Sequence, residues 1–410
     1  MAERFQAPRG THDVLPGDPR WWHVVRAMET QALLYGWSRI QTPGFEDTGL
    51  FARTAGEASD VVNKEMYTFT DRSDRSLTLR PEGTAPIARA YIEHGLHRAP
   101  QPVKAYTIAP MYRYGAPGRG RYREHWQLSL EAIGSPGPEI DAEVLQFYVE
   151  LLRRLGVTEW ELHLNSIGDG NCRPQYVARL NEWLDAHDDV LDEDARHKRR
   201  TSPLQVFDVK NPVLRTALEE APKIGESLCD ACQAHFDGVR ALLDAVGIPY
   251  TVDHTLVRGL DYYTRTAFEF IGPEENVNST ICGGGRYDGL VEAIGGPPTP
   301  GIGFGAGIER LILAIEREGT EFPARTIDVF FADDGVDRGR LLAIMSELRQ
   351  RDLACDADYA GRSLKGQLTQ WERTGARTLV IAGAEQATIR RRGEQDATVA
   401  LTDLIDTLSE

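Results

Sequence analysis

Between residues 301 and 307 glycine stands at every second position, in Gly301-Ile-Gly-Phe-Gly-Ala-Gly, and the chain then enters an apolar helix through Ile308-Glu309-Arg310-Leu311. Alternate residues of a strand share a face. This strand therefore presents one face without side chains, a flat floor on which a ligand can lie, with Arg310 at the start of the helix. The pattern is not a dinucleotide fingerprint, because the G-x-G-x-x-G spacing and the parallel-sheet unit before it are missing. No G-x-x-x-x-G-K-[ST] loop occurs, so a nucleotide, if bound, is held some other way.

Two further stretches combine little bulk with much polarity. Leu256-Val-Arg258-Gly-Leu-Asp261-Tyr262-Tyr263-Thr-Arg265 places a guanidinium, a carboxylate and two phenols close together. An arginine beside glycine is always charged and can approach an anion closely. The aspartate and tyrosines add acceptors and donors for a small polar ligand. Taken alone, the stretch also reads as a surface hairpin. Cys282-Gly-Gly-Gly-Arg286-Tyr287-Asp288 reads either as a bulged strand turn or as backbone opened to a ligand.

At 410 residues with net charge -16, the chain has room for two or three domains and is a poor indiscriminate binder of nucleic acid. A specific nucleic-acid partner would have to be met by local basic patches. One candidate is the loop from 113 to 123, where Arg113, Arg119, Arg121 and Arg123 alternate with glycine and tyrosine; the other reading is a solvated basic loop. No apolar run is long enough for a membrane span, the N-terminal residues lack the core of a signal peptide, and five scattered cysteines fit a reducing compartment, so a cytoplasmic enzyme is expected.

Along the chain, residues 19–36 read as a helix with Trp22, Val25, Met28 and Ala32 on its apolar side. A hairpin follows near 67–80, and Arg80-Pro-Glu82-Gly-Thr84 opens a helix. Glu82 is read as a capping carboxylate or as one that receives a ligand ammonium. From Gln127 to Glu131 polar and apolar residues alternate, so Gln127, Ser129 and Glu131 share one face of a strand. Residues 171–248 are charged and helix-rich, as in an inserted domain. Cys229, Cys232 and His235 stand there as partial metal ligands without a second pair at finger spacing. Beyond the polar linker at 316–326, strands and helices alternate as in a small α/β domain.

These motifs, in order and in register, resemble the histidyl-tRNA synthetases, a class II aminoacyl-tRNA synthetase family, essentially end to end. Residues 45–69 resemble the dimer-forming first class motif, Arg113–Glu131 the second and Gly303–Leu311 the third. Leu256–Tyr263 and Gly283–Asp288 resemble the two family-specific signatures. The resemblance implies an α+β fold: an antiparallel sheet flanked by helices (residues 1–170 and 249–325), a helical insertion domain (171–248) and a C-terminal α/β anticodon-binding domain (326–410). It implies a homodimer that joins L-histidine to tRNA(His) through histidyl-adenylate, with ATP as substrate, Mg²⁺ on the phosphates, no metal held by protein side chains alone and no membrane. Arg258 and Arg113 match the catalytic arginines, and with Arg121, His125 and Arg310 they match the ATP-binding set. Glu82, Thr84 and Gln127 match the positions around the amino group. Glu131, Tyr262, Tyr263 and Tyr287 match those around the imidazole.

The sequence departs from the family pattern at the tip of the arginine loop, Gly115-Ala116-Pro117-Gly118, which faces the tRNA acceptor end in the family, and at His125-Trp126, where the family's adenine-stacking residue is usually Phe. A competing reading is a non-catalytic regulatory paralogue of histidine biosynthesis. Such paralogues typically lack the C-terminal domain, whereas Gly361-Arg362-Ser-Leu-Lys365 here resembles part of it.

Overall fold

The computed structural model describes residues 4–56, 59, 61–209, 211–272, 280–323 and 327–409. It divides into two compact units, 1–322 and 323–410. Among the described residues no helix is long and apolar enough to cross a membrane.

The first helix, α1 (Pro19–Leu34), starts where the Asp18 carboxylate accepts from the Arg20 amide at 3.0 Å. Trp21, Val24, Met28 and Ala32 are its buried stripe, whereas Trp22, expected inside, is 52% exposed. Tryptophan and valine occur in adjacent pairs here, so spacing alone fits either member. Packing decides, because Trp21 meets Trp126 edge-on at 5.6 Å. After β1 (Ser38–Arg39), β2 (Phe45–Asp47) and α2 (Thr48–Ala55), the expected hairpin forms from β3 (Tyr67–Thr70) and β4 (Ser76–Leu79). Its turn is closed by Asp71, which accepts from the Ser73 and Arg75 amides.

The chain continues through α3 (Thr84–Glu93), β5 (Val103–Tyr112), β6 (Glu124–Ile133), α4 (Pro138–Arg154) and β7 (Glu161–Ser166). The helical segment follows as α5 (Arg173–Ala186), α6 (Glu193–Thr201), α7 (Pro212–Leu218) and α8 (Asp230–Ala245). Then come β8 (Thr251–Val252), β9 (Thr264–Ile271), β10 (Thr280–Arg286), α9 (Leu290–Ala293), β11 (Gly301–Gly307) and α10 (Ile308–Arg317). Eight strands form one sheet in the order β1-β5-β6-β11-β10-β9-β7-β8. It is antiparallel throughout its centre, while the short edge strands β1 and β8 pair in parallel.

Strand alternation separates the two faces of this sheet. Leu128, Leu130 and Ala132 of β6 and Ile302, Phe304 and Ala306 of β11 enter a core shared with α1, α4 and α10. Gln127, Ser129, Glu131 and the glycines of β11 therefore face the other way, toward α3. Within the helical segment Tyr176, Leu180, Leu184, Leu214 and Leu218 form a separate core, yet Phe236, Val239 and Leu243 of α8 belong to the main one.

In the second unit β12 (Val329–Asp333), α11 (Arg338–Gln350), β13 (Cys355–Ala357), α12 (Leu364–Thr374), β14 (Thr378–Ala382), β15 (Gln386–Arg391), β16 (Ala397–Ala400) and α13 (Leu404–Ser409) build a sheet ordered β13-β12-β14-β15-β16. Val329 and Phe331 pack on one face with Leu341 and Leu404, and Phe330 and Ala332 on the other with Trp371. Both faces are covered; β13, β12 and β14 pair in parallel, as such buried strands do, while β15 and β16 continue the sheet antiparallel.

Candidate active site

A cavity of about 850 Å³ opens on the α3 side of the large sheet. It is lined by Arg258, Tyr262 and Tyr263 from the β8–β9 connection, by Glu82 and Thr84 from the start of α3, and by Arg113, Arg121, His125 and Gln127 from β5, its loop and β6. Arg310 lines it from the start of α10. Of the site residues anticipated from sequence, Glu131 and Tyr287 do not reach the lining and stand behind it.

The glycine floor has a different occupant from the one expected. A Cβ added at Gly303 would fall on the Glu131 carboxylate, and one at Gly305 would come 2.5 Å from the Gln127 amide nitrogen. At Gly301 it would strike the Tyr287 ring. At Gly285 it would sit 2.9 Å from a ring carbon of Tyr263, and at Gly283 2.7 Å from the Arg258 guanidinium carbon. The bare face carries the site's own side chains, laid flat across β10 and β11. Glycine is needed there for steric room, because each missing methyl is space that a side chain occupies, with a backbone carbonyl pressing as closely at Gly285 and Gly303.

Glu131 has no solvent exposure, and its two oxygens accept from the Thr84 and Tyr287 hydroxyls, each at 2.6 Å. Burial pushes its carboxyl up to about 8, with the nearby Glu82 charge adding to the rise and the two hydroxyls opposing it. Glu82 caps its helix, the first of the two readings, and also lines the cavity. Its oxygens accept from the Thr84 and Ala85 amides at 2.6 and 2.9 Å, capping α3, while the carboxylate lines the cavity. Burial raises it as well. Gln127 donates to Ser129 at 2.9 Å.

The basic end is organised by backbone acceptors. Arg113 donates to the Pro81 carbonyl at 2.8 Å, and Arg310 donates to the Thr280 carbonyl. His125 is driven down to about 3, mainly by burial and further by the Arg113 and Arg310 charges, so it presents a neutral ring. Of the four arginines in the loop, only Arg113 and Arg121 line the cavity. Arg123 lies 3.9 Å over the Tyr114 ring and donates to the Gly115 carbonyl, bracing the loop, while Arg119 is exposed. At the tip Gly118 and Arg121 exchange backbone hydrogen bonds at 3.0 Å.

Arg258 forms an ion pair with Glu269, and among the described residues its buried Nε has no hydrogen-bond partner. Glu269 was not picked out from sequence, although the signal was present: it is a charge between Phe268 and Phe270, both of which are fully buried. Glu309 was also missed. It lines the cavity, its oxygens accept from the Trp126 amide at 3.0 and 3.2 Å, and burial pushes it up to about 7.

Two groups expected to serve a ligand or a metal, Asp261 and His235, are engaged elsewhere, and so is Arg286 of the glycine stretch. Asp261 accepts from Ser202 at 2.9 Å and Gln205 at 3.1 Å, tying the helical segment to the arginine–tyrosine stretch. Arg286 is fully buried on Asp141 and also donates to the Ser135 and Gly137 carbonyls. His235 turns from the two cysteines to the same Asp141, at 2.9 Å.

Comparison with known proteins gives one family. A family model described as histidyl-tRNA synthetase matches residues 10–311, and one described as an anticodon binding domain matches residues 338–410. The histidine–tRNA ligase of Desulforamulus reducens is 45% identical over 409 residues, 97% of each chain. That of Rhodococcus erythropolis is 44% identical over 419 residues, 100% of this chain and 98% of the relative. The crystal structure of apo Staphylococcus aureus histidyl-tRNA synthetase superposes with a TM-score of 0.83 at 36% identity, covering 99% of this chain and all of that one.

Proposed function

The chain belongs to the histidyl-tRNA synthetase family, and with histidine–tRNA ligase activity as the premise we propose how its side chains divide the work. The histidine ammonium is received by Glu82, Thr84 and Gln127. The imidazole lies against Tyr262 and Tyr263 and reaches Glu131 by displacing the Thr84 hydroxyl. A carboxylate and phenols can satisfy both ring nitrogens, and leaving those buried groups unpaired is what rejects other amino acids.

In the first step a histidine carboxylate oxygen attacks the α-phosphorus of ATP, and the bond to the leaving pyrophosphate breaks. In the second the tRNA 3′-terminal hydroxyl attacks the carbonyl, releasing AMP. Negative charge spreads over phosphate oxygens, so the chain contributes position and fixed positive charge. Arg113 and Arg258 act at the α-phosphate, Arg121 and Arg310 along the remaining phosphates, and the neutral His125 ring stacks on the base. Mg²⁺ bound with the nucleotide would neutralise phosphate charge, and Glu309, a lining residue next to Arg310 in sequence, is the protein group that would hold it.

The observation that carries this assignment is Arg258, a partly buried guanidinium whose buried Nε donor is unused, in the same cavity as Arg113 and Arg310. Its ion pair with Glu269 holds the charge in place until substrate carboxylate and phosphate replace that partner. A homodimer through the small β2-β4-β3 sheet is supported by Phe45 and Phe69, which stand edge-to-face at 6.1 Å and are 50% and 41% exposed. We read the 338–410 domain as the anticodon contact, the 115–118 tip as the acceptor-end contact, and the cytoplasm as the location.

ATP–pyrophosphate exchange against a panel of amino acids tests the reading. Histidine alone should support exchange; exchange driven equally by another amino acid would reject the imidazole assignment.

A further inference from the structure

The metal ligands missing from the sequence pattern around Cys229 and Cys232 come from far away in the chain. Asp169 and Cys172 lie in the loop after β7, and like Cys229 and Cys232 they are three residues apart. One carboxylate oxygen and three sulfurs from these residues all fall within 4.8 Å of one another. Cys172 Sγ is 3.9 Å from Cys232 Sγ and 3.8 Å from Asp169 Oδ1, which is 4.0 Å from Cys229 Sγ. A tetrahedral ion with bonds of about 2.3 Å to sulfur and about 2.1 Å to oxygen has ligand–ligand edges of about 3.6 to 3.8 Å. The three edges of 3.8 to 4.0 Å have to contract by a few tenths of an ångström to close on such an ion, and the remaining edges, all within 4.8 Å, by at most about 1 Å.

The surroundings are those of a built site. Gly168, at φ +65°, turns the chain so tightly that a Cβ there would meet Cys172 Sγ at 2.7 Å. The Asp169 amide points at Cys172 Sγ at 3.4 Å, and the Asn171 amide holds Asp169 Oδ1 at 2.9 Å. Cys229 is the N-cap of the sixteen-residue α8, where the helix start favours a thiolate. Three thiolates and a carboxylate overcompensate a dication, and two guanidiniums adjoin them. Arg265 reaches Asp169 Oδ2 at 3.3 Å, and Arg173 follows Cys172 directly. Such outer partners orient ligands and balance their charge.

We propose that Asp169, Cys172, Cys229 and Cys232 form a structural site for a thiophilic divalent cation of the zinc class. The four ligands sit where the chain leaves the catalytic sheet for the helical segment and where it returns, so one ion pins both ends of a long excursion. The site also braces the cavity. Arg173 donates to the Ile167 and Gly168 carbonyls at 3.2 Å and to the Tyr263 carbonyl at 2.7 Å. The ion therefore acts on the Tyr263 wall through the loop, as a positioning element.

The test is metal analysis of the untagged full-length protein purified under reducing conditions, followed by exchange of the ion for Co²⁺. The expected result is one equivalent of zinc per chain, and for the cobalt form the charge-transfer and d–d bands of a tetrahedral thiolate site. Cys172→Ser and Cys232→Ser should each lose the ion, while Cys355→Ser, in the other unit, should keep it. If the cluster variants fail to fold, thiol titration of the wild type decides, with three cysteines reactive only after chelation. A reduced chain that retains neither Zn²⁺ nor Co²⁺ through gel filtration, or a Cys172–Cys232 disulfide in freshly isolated protein, would overturn the site.

Discussion

The Arg258 guanidinium lies directly over Gly283, its central carbon 2.7 Å from where a Cβ would stand. The neighbouring Gly284 faces backbone instead, where a Cβ would come 2.7 Å from the Phe304 Cα. Adjacent glycines on one strand therefore make separable predictions. Gly283→Ala displaces only the end of a flexible side chain, so the fold should persist while pyrophosphate exchange falls by about tenfold or more, as for a misplaced transition-state donor. Gly284→Ala forces two strands apart and should unfold or precipitate. Circular dichroism and exchange assays on the pair check this, and equal behaviour of the two variants would contradict it.

Glu131 carries a pH signature. Unfolded, a glutamate titrates near about 4.3; here burial pushes it up to about 8. As pH rises the unfolded chain releases its proton first, so this group destabilises the native state progressively from the lower value to the upper one. Glu131→Gln removes the effect. Between about pH 5 and about pH 8 the stability of the wild type should fall relative to the variant by about 1.4 kcal/mol per pH unit. Urea unfolding across that range measures the difference, and parallel curves would refute the assignment.

Arg286 stands in a stretch that resembles a family signature, and in the fold it is buried on Asp141. Removing one partner of its buried pair with Asp141 leaves an uncompensated charge, so Arg286→Ala should cost about 3–5 kcal/mol in chemical denaturation. A loss under about 1 kcal/mol would mean the pair is not buried as described.

His125 is held neutral, far below the physiological range. His125→Phe should keep its stacking face and leave the pH profile of exchange unchanged above about pH 5, since the imidazole has no charge to lose there. A profile that changes shape with this substitution would show that the ring titrates during turnover.

Much of this was legible in the sequence because periodicity and charge are local signals. The hairpin closed by Asp71, the polar face of β6 and the alternating C-terminal unit all follow from spacing. What could not be read depended on distant packing. Trp21 and Trp22 are equivalent until Trp126 is placed beside one of them. Asp261 looked like a ligand group until Ser202 and Gln205 arrived from the helical segment. The glycines announced a close approach without saying what approaches, and the partners of Cys229 and Cys232 lay across an entire inserted segment.

The most direct test of the account is Arg258→Ala in histidine-dependent ATP–pyrophosphate exchange. Loss of one donor to the transition state predicts a fall of about 10²-fold or more in rate, with circular dichroism and thermal midpoint close to wild type. Near-normal exchange by the folded variant would contradict the role assigned to this arginine.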